Sequence, residues 1–399
     1  MTLGAGIIKT LLPKCFFASG LNCGVRKYRP DVGLLVSDVP AVAVAVYTQN
    51  TCAGEHIQYC KSLLPSEGIQ ALITNSGQAN TAVGPVGAQD NLAMAQAVAN
   101  GLNIGVDQVL TASTGVIGQR IDIEKVVNVV PHLIEAQSTT ADTFATAIMT
   151  TDLVPKSATT VVQLSGGDVR ITGVAKGSGM IHPNMATMLG YLLTDLKVET
   201  SVAKTMLSDV TNTSFNMISV DGEPSTNDTV FMLANGKSGV GLQNDEDYQV
   251  FLQALRDVAT VLAKSIARDG EGATKLIEVR LKGAPTQELA DKWARSLTVS
   301  PLIKTAIHGR DPNWGRIVGR LGGEQVPAEA FKKLDLAVQE LHLINQGQIQ
   351  NLDLEKLRNA LKQDEILIEV DLKLGQAGTV AWGCDLSSKY VQINAEYTS

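Results

Sequence analysis

Residues 176–195 read KGSGMIHPNMATMLGYLLTD, and in them a turn containing Gly and Pro runs into Ala186-Thr187 and then into an apolar run. A hydroxyl residue in that position has the layout of a self-cleaving nucleophile. Its Oγ attacks the preceding carbonyl when that peptide is distorted, giving an ester that water hydrolyses. Cleavage frees the α-amine of Thr187, whose reference pKa of about 7.7–8.0 leaves a useful fraction unprotonated near neutral pH. Such an amine can deprotonate the hydroxyl of its own residue, which activates the nucleophile without histidine or metal. The plainer alternative is that Thr187 is a β-branched residue opening a strand. A nucleophile of this kind also needs donors aimed where the tetrahedral oxygen develops. LTASTGVIGQR (110–120) offers the Thr114 hydroxyl and the unobstructed N–H of Gly115, although a plain glycine turn is the simpler reading of those residues.

Other chemistries find little support. His56, His132, His182, His308 and His342 form no HExxH and no ligand spacing with cysteine, so no metal site is expected. His308 reads as a turn or core residue. The glycine-rich runs GVAKGSG and GEGATK do not fit GxxxxGK[ST], and GxSxG is absent, which leaves Ser178 without a convincing partner. Cys15, Cys23, Cys52, Cys60 and Cys384 are odd in number and lack CxxC spacing, as expected of reduced structural thiols.

The elements that must position these residues are those of an ordinary globular chain. Of 399 residues, 44% are hydrophobic and 4% aromatic, so the core is mainly aliphatic. A net charge of −7 with interspersed signs gives no basic face for nucleic acid. Lys9, Pro13 and Lys14 interrupt any signal peptide, and no run is long enough to cross a membrane, so a cytoplasmic protein is expected. Short strands are predicted at 31–38, 41–48, 71–77, 159–166, 168–176, 189–195 and 228–235, with later ones at 277–283 and 366–374. Helices are predicted at 86–101, 199–213, 245–268, 285–296 and 327–338. Two-residue alternation in DVRITGVAK and LIEVRLKG suggests antiparallel strands with one wet face. The fold class expected is α/β (α+β), with stacked sheets sandwiched by helices, and the more charged stretch from about 280 to 370 is the candidate for a smaller second domain.

The motifs together resemble the ArgJ family, the ornithine acetyltransferases (glutamate N-acetyltransferases) of arginine biosynthesis. The resemblance rests on NSGQANTAVG (75–84), ASTGVIG (112–118), MTTDLVPK (149–156), KGSGMIHPNMATML (176–189), SFNMISVDGEPSTNDTV (214–230), RDGEGATK (268–275), HGRDPNWGRI (308–317) and AWGCDLSSKYVQINAEYTS (381–399). It implies self-cleavage between Ala186 and Thr187, an α chain of 1–186 and a β chain of 187–399 assembled as an α2β2 heterotetramer, and an αββα sandwich like that of N-terminal nucleophile hydrolases. It also implies ping-pong transfer of acetyl from N2-acetyl-L-ornithine through the threonine to L-glutamate, with acetyl-CoA as a second donor in some members and no bound cofactor. Carried over, Thr187 is the nucleophile, and Thr114 and Gly115 form the oxyanion hole. Thr150 (or Thr151 after a one-residue shift), Lys176, Glu271, Asn394 and Ser399 contact the amino-acid substrate. Two alternatives stand beside this reading: an N-terminal nucleophile amidohydrolase or aminopeptidase, and an unprocessed amino-acid-binding relative.

Overall fold

The structure, a computed structural model, describes residues 10–182 and 188–396. The chain folds as two mixed sheets flanked by helices, the class expected. The first sheet runs, edge to edge, Val109–Val116, Ser66–Gln78, Val32–Tyr47, Thr229–Ala234, Leu189–Thr194, Gly167–Lys176 and Lys156–Leu164, with Phe16–Leu21 added to one end of the long central strand. The second runs Gln348–Ile349, Leu341–Asn345, Asp335–Val338, Glu365–Asp371, Leu276–Ala284, Ala377–Cys384 and Ile218–Ser219.

The two runs predicted at 31–38 and 41–48 are one 16-residue strand, Val32–Tyr47. Its register slips between Val36 and Ala43, around Pro40, which has no N–H to give a ladder. The break lets one strand change partners: Phe16–Leu21 pairs before it and Thr229–Ala234 after it. Leu189–Thr194 and Thr229–Ala234 are buried at every residue and pair in parallel, as their unbroken apolar character requires. From these strands Tyr191 stacks on Phe231 and meets Phe144 edge-on, and its hydroxyl shares a 2.8 Å hydrogen bond with Thr74 Oγ1.

The helix Asp245–Arg268 starts and ends where its charges predict. The Asn244 side chain caps the Asp247 N–H, three acids fill the first turn, and Arg268 closes the last. Its apolar face touches strands of both sheets, and the largest apolar core draws on both. Three expectations fail locally. Residues 327–338 are a single helical turn, Ala328–Phe331, followed by the strand Asp335–Val338. There Leu336 and Val338 meet the Glu365–Asp371 strand, and pairing overrides the helical period. Leu276–Ala284 is antiparallel to one neighbour and parallel to the other. Gly167–Lys176 is antiparallel throughout, but from Ile171 onward it has no wet face.

One feature of this topology bears on function. Gly167–Lys176 pairs antiparallel with Leu189–Thr194, from Lys176↔Leu189 to Ile171↔Thr194. The stretch 177–188, which contains the Ala186–Thr187 bond, is therefore the connection between two adjacent ladder strands. Strands from both sides of that bond share the first sheet.

Candidate active site

Six of the residues singled out in the sequence lie within the described chain, and all six line one cavity of about 150 Å³: Thr114, Gly115, Thr150, Lys176, Glu271 and Asn394. Thr151 lines it as well, so the cavity accommodates either position. Ala186, Thr187 and Ser399 lie outside the described residues. Broader grooves exist, such as one of about 510 Å³ over the second sheet. Chemistry rather than size distinguishes the small cavity.

Thr114 and Gly115 sit at the end of the strand Val109–Val116. Gly115 has φ +134°, and a Cβ there would lie 2.2 Å from the Gly77 carbonyl carbon of the neighbouring strand. Only glycine permits that approach. Thr114 Oγ1 accepts a hydrogen bond from Lys176 Nζ at 3.3 Å. Its own O–H is thereby free to point elsewhere, since a hydroxyl accepts and donates at once. Next to this pair, the Asn227 side chain donates to the carbonyls of Ala79 (2.6 Å) and Ser113 (2.8 Å), pinning the loop beneath the strand end.

Lys176, 3% exposed, ends the strand Gly167–Lys176. Burial lowers the pKa of its ammonium, and the carboxylates of Asp152, Asp228 and Glu271 act against that shift. Glu271 reaches the cavity from the loop after the long helix. Its carboxylate lies against the backbone of Gly179, where an added Cβ would come 2.4 Å from Glu271 Cδ. Asn394, on the C-terminal helix Ser388–Glu396, donates to Glu271 Oε2 at 2.8 Å.

Sequence reasoning missed the charges that hold these residues. Lys156 Nζ donates to Asp152 Oδ1 at 2.7 Å and to Asp269 Oδ2 at 2.6 Å, with all three side chains buried. Asp152 also accepts from the N–H groups of Thr150 (3.0 Å) and Gly177 (2.7 Å), so it fixes the backbone on both sides of the cavity. Asp269 accepts from Leu153 N at 3.0 Å, and its carbonyl accepts from Ser178 Oγ at 2.7 Å. Burial raises the Asp152 carboxyl pKa, but Lys176 and Lys156 outweigh it and hold it well below the usual carboxylate range. Asp152 and Lys156 stand inside MTTDLVPK and Asp269 inside RDGEGATK. The motifs held the signal, but burial of the charges did not show in them.

His308, expected in a turn or the core, lies in the last turn of the helix Pro301–Gly309 with its side chain partly exposed. Cysteines are free, and no group of three or more metal-ligating side chains occurs among the described residues. His308 is paired with Asp385 at 2.7 Å as part of a structural cluster with Thr274. No helix among the described residues is long and apolar enough to cross a membrane.

Fold and cavity together define an α/β protein whose candidate site residues meet in a small, charged cavity. The chain belongs to the ArgJ family, whose model matches residues 17–399. It is 45% identical over 388 residues to the arginine biosynthesis bifunctional protein ArgJ of Oceanobacillus iheyensis, covering 96% of this chain and 95% of that one. A solved ArgJ chain from Bacillus halodurans is 39% identical with a TM-score of 0.49, covering 51% of this chain and 96% of its own. The ornithine acetyltransferase of Mycobacterium tuberculosis, solved in complex with ornithine, is 31% identical with a TM-score of 0.41, covering 44% and 95% respectively.

Proposed function

We propose that this ArgJ-family enzyme transfers acetyl from N2-acetyl-L-ornithine to the Thr187 hydroxyl and then to L-glutamate, after cutting itself between Ala186 and Thr187. The observation that carries the reading is convergence. Residues from five separated stretches of chain (Thr114 and Gly115, Thr150, Lys176, Glu271 and Asn394) line one cavity. In the proposed reaction the α-amine of Thr187 takes the hydroxyl proton and Oγ attacks the acetyl carbonyl. The Thr114 hydroxyl and Gly115 N–H stabilise the resulting oxyanion. Ornithine then leaves and glutamate accepts the acetyl group. Lys176 pairs with the substrate α-carboxylate and Glu271 with the ammonium of acetylornithine, while Thr150, Asn394 and Ser399 complete the pocket. The curated relatives are named bifunctional, and the scheme takes acetyl-CoA as the second donor, with no bound cofactor.

The ladder between Gly167–Lys176 and Leu189–Thr194 supports a processed enzyme whose halves, 1–186 and 187–399, stay joined. Cleaving their connection leaves every inter-strand bond intact. On this reading the mature form is a cytoplasmic α2β2 heterotetramer, with about 280–370 as its smaller unit. Intact mass spectrometry tests the reading. Wild type should give two fragments, the larger starting at Thr187, and Thr187→Ala should give one inactive chain. A single, fully active wild-type chain refutes it. Release of ornithine that requires glutamate separates the transferase from an amidohydrolase.

A further inference from the structure

The cavity of about 150 Å³ is well below the roughly 300–1,000 Å³ of a site that encloses a drug-sized ligand. A donor as large as acetyl-CoA must therefore lie mostly outside it. The end remote from its acetyl group carries a diphosphate and a 3′-phosphate, and such charges need a cationic rest on the rim. Much of the rim is acidic or neutralised. Glu271 lines the cavity, Asp221 accepts the Met180 N–H at 2.6 Å, and Arg120, near Ile117 in the chain, is paired with Asp90 at 2.7 Å.

The Thr150 side differs. Arg26 donates to the carbonyls of Met149 at 2.5 Å and Thr150 at 2.8 Å, and Arg29 to that of Asp152 at 3.0 Å. Both belong to VRKYRP (25–30), which packs three cations into four residues of a chain with net charge −7. The loop is firmly built. Buried Asp31 accepts the N–H groups of Cys23 (2.6 Å), Val25 (2.9 Å) and Arg26 (2.8 Å), and the Asn22 side chain donates to the Arg26 carbonyl at 2.8 Å. It also lies over the strand ends beside Gly115. A Cβ at Gly77, against which Gly115 packs, would come 3.1 Å from Val25 Cγ1 and 3.5 Å from Arg26 Cγ. Lys125 reaches the loop too, but it is paired with Asp122 at 2.6 Å. Three cations against Asp31 leave the loop positive. Between the arginines, Lys27 is exposed and Tyr28 is 93% exposed, so the ring contributes almost nothing to packing. An open aromatic ring beside cations is the combination that holds a base and its phosphates.

We propose that residues 26–29 dock the nucleotide end of the acetyl-CoA donor while its thioester end enters the cavity. Tyr28 stacks on the adenine, Lys27 pairs with phosphate, and Arg26 and Arg29 add positive field while holding the cavity wall at Thr150. This rests on the second-donor reading above. Tyr28 follows Arg26 by two residues, which places their Cα atoms within about 7 Å of each other, a distance the flexible pantetheine arm bridges.

Lys27→Glu and Tyr28→Ala, singly and together, test this in the whole enzyme. Acetyl-CoA, S-acetylpantetheine and N2-acetyl-L-ornithine are compared as donors to L-glutamate, with circular dichroism as the fold control. S-acetylpantetheine keeps the thioester arm and lacks the phosphates and the base. In wild type, KM for acetyl-CoA should climb as salt is raised from about 20 to 300 mM. The double variant should raise KM for acetyl-CoA about tenfold or more and flatten that salt dependence. Its KM for S-acetylpantetheine and for acetylornithine should stay within about twofold of wild type, because neither molecule reaches the loop with a charge or a base. A double variant that keeps the wild-type KM for acetyl-CoA, or that weakens all three donors equally, overturns the docking site and leaves the second donor standing. A wild type that transfers from acetylornithine but from neither thioester overturns the second-donor reading, and the docking site with it.

Discussion

Replacing Lys156 with Met removes one ammonium and almost no volume, so its effect isolates the charge network under the cavity. The ammonium donates to Asp152 at 2.7 Å, to Asp269 at 2.6 Å and to the Val154 carbonyl at 3.3 Å. The side chains of Lys156, Asp152 and Asp269 are 1%, 0% and 7% exposed, so water cannot replace the lost contacts. Removing one partner of a buried pair costs about 3–5 kcal/mol, chiefly because the other charge is left uncompensated. Here two carboxylates lose a common cation, which places Lys156→Met in that range. The sign of the pH dependence follows from Asp152. Its folded pKa is depressed, so in wild type its contribution is present above the ordinary carboxylate range and is lost as pH falls through it. In the variant Asp152 loses one of the cations that hold its pKa down and takes up a proton more readily, so the deficit should narrow toward pH 4. Urea unfolding of both proteins at pH 8 and pH 4.5, followed by circular dichroism, measures it. A deficit under about 1 kcal/mol at pH 8, or one equal at both pH values, would sink the argument.

His56→Gln should flatten stability between pH 6.5 and pH 4. The folded imidazole titrates near 4 instead of 6.5, so wild type loses about 3 kcal/mol as pH falls through that window. Urea midpoints across the window check this, and an unchanged slope counts against it. Gly115→Ala should cost about 3 kcal/mol or more and abolish transfer, because the positive φ and the Gly77 backbone both oppose a side chain; a folded, active variant would contradict it. Gly179→Ala should leave stability within about 1 kcal/mol but raise KM for acetylornithine about tenfold, since the new methyl displaces only the mobile end of Glu271. Glu271→Gln should raise KM for acetylornithine about tenfold while leaving that for glutamate unraised, and equal rises for both would refute the assigned contact.

How far the sequence could be read depended on what kind of interaction decided each element. The helix Asp245–Arg268 was legible to the residue because its caps and its apolar face are local properties. The all-buried strands Leu189–Thr194 and Thr229–Ala234 were legible because nothing polar interrupts them. Residues 327–338 misled because the choice between helix and strand was made by a partner, Glu365–Asp371, that lies later in the chain. Thr114 and Gly115 were suggested by their residue types, whereas the other cavity residues came from the family resemblance, and their convergence from distant stretches is invisible to any local pattern. Asp152, Lys156 and Asp269 were missed for a related reason. Charged residues near Gly and Pro read as a wet turn, and only the packing of three segments turns that stretch into a buried network.

The proposed ping-pong reaction sets this cavity an awkward problem, and its charges suggest the answer. Acetylornithine and glutamate both present an α-carboxylate, which one buried lysine can read in either case. Their far ends have opposite charge, an ammonium in one and a carboxylate in the other, so a single fixed anion would favour the donor and repel the acceptor. Glu271 is the anion in question, and it is not rigidly buried. It is half-buried, held among the described residues by one side-chain hydrogen bond, from Asn394 on a helix with no buried residues, and it rests on a glycine that offers no side-chain wall. Lys176, by contrast, is wholly enclosed and backed by the Asp152–Lys156–Asp269 network. In the proposed assignment the rigid cation meets the group the two substrates share and the loosely held anion the end at which they differ. Asn394, an amide with donors as well as an acceptor, can bond a carboxylate once Glu271 gives way. The division between a braced end and a yielding end is what a two-substrate site needs if both substrates must reach the same hydroxyl in turn.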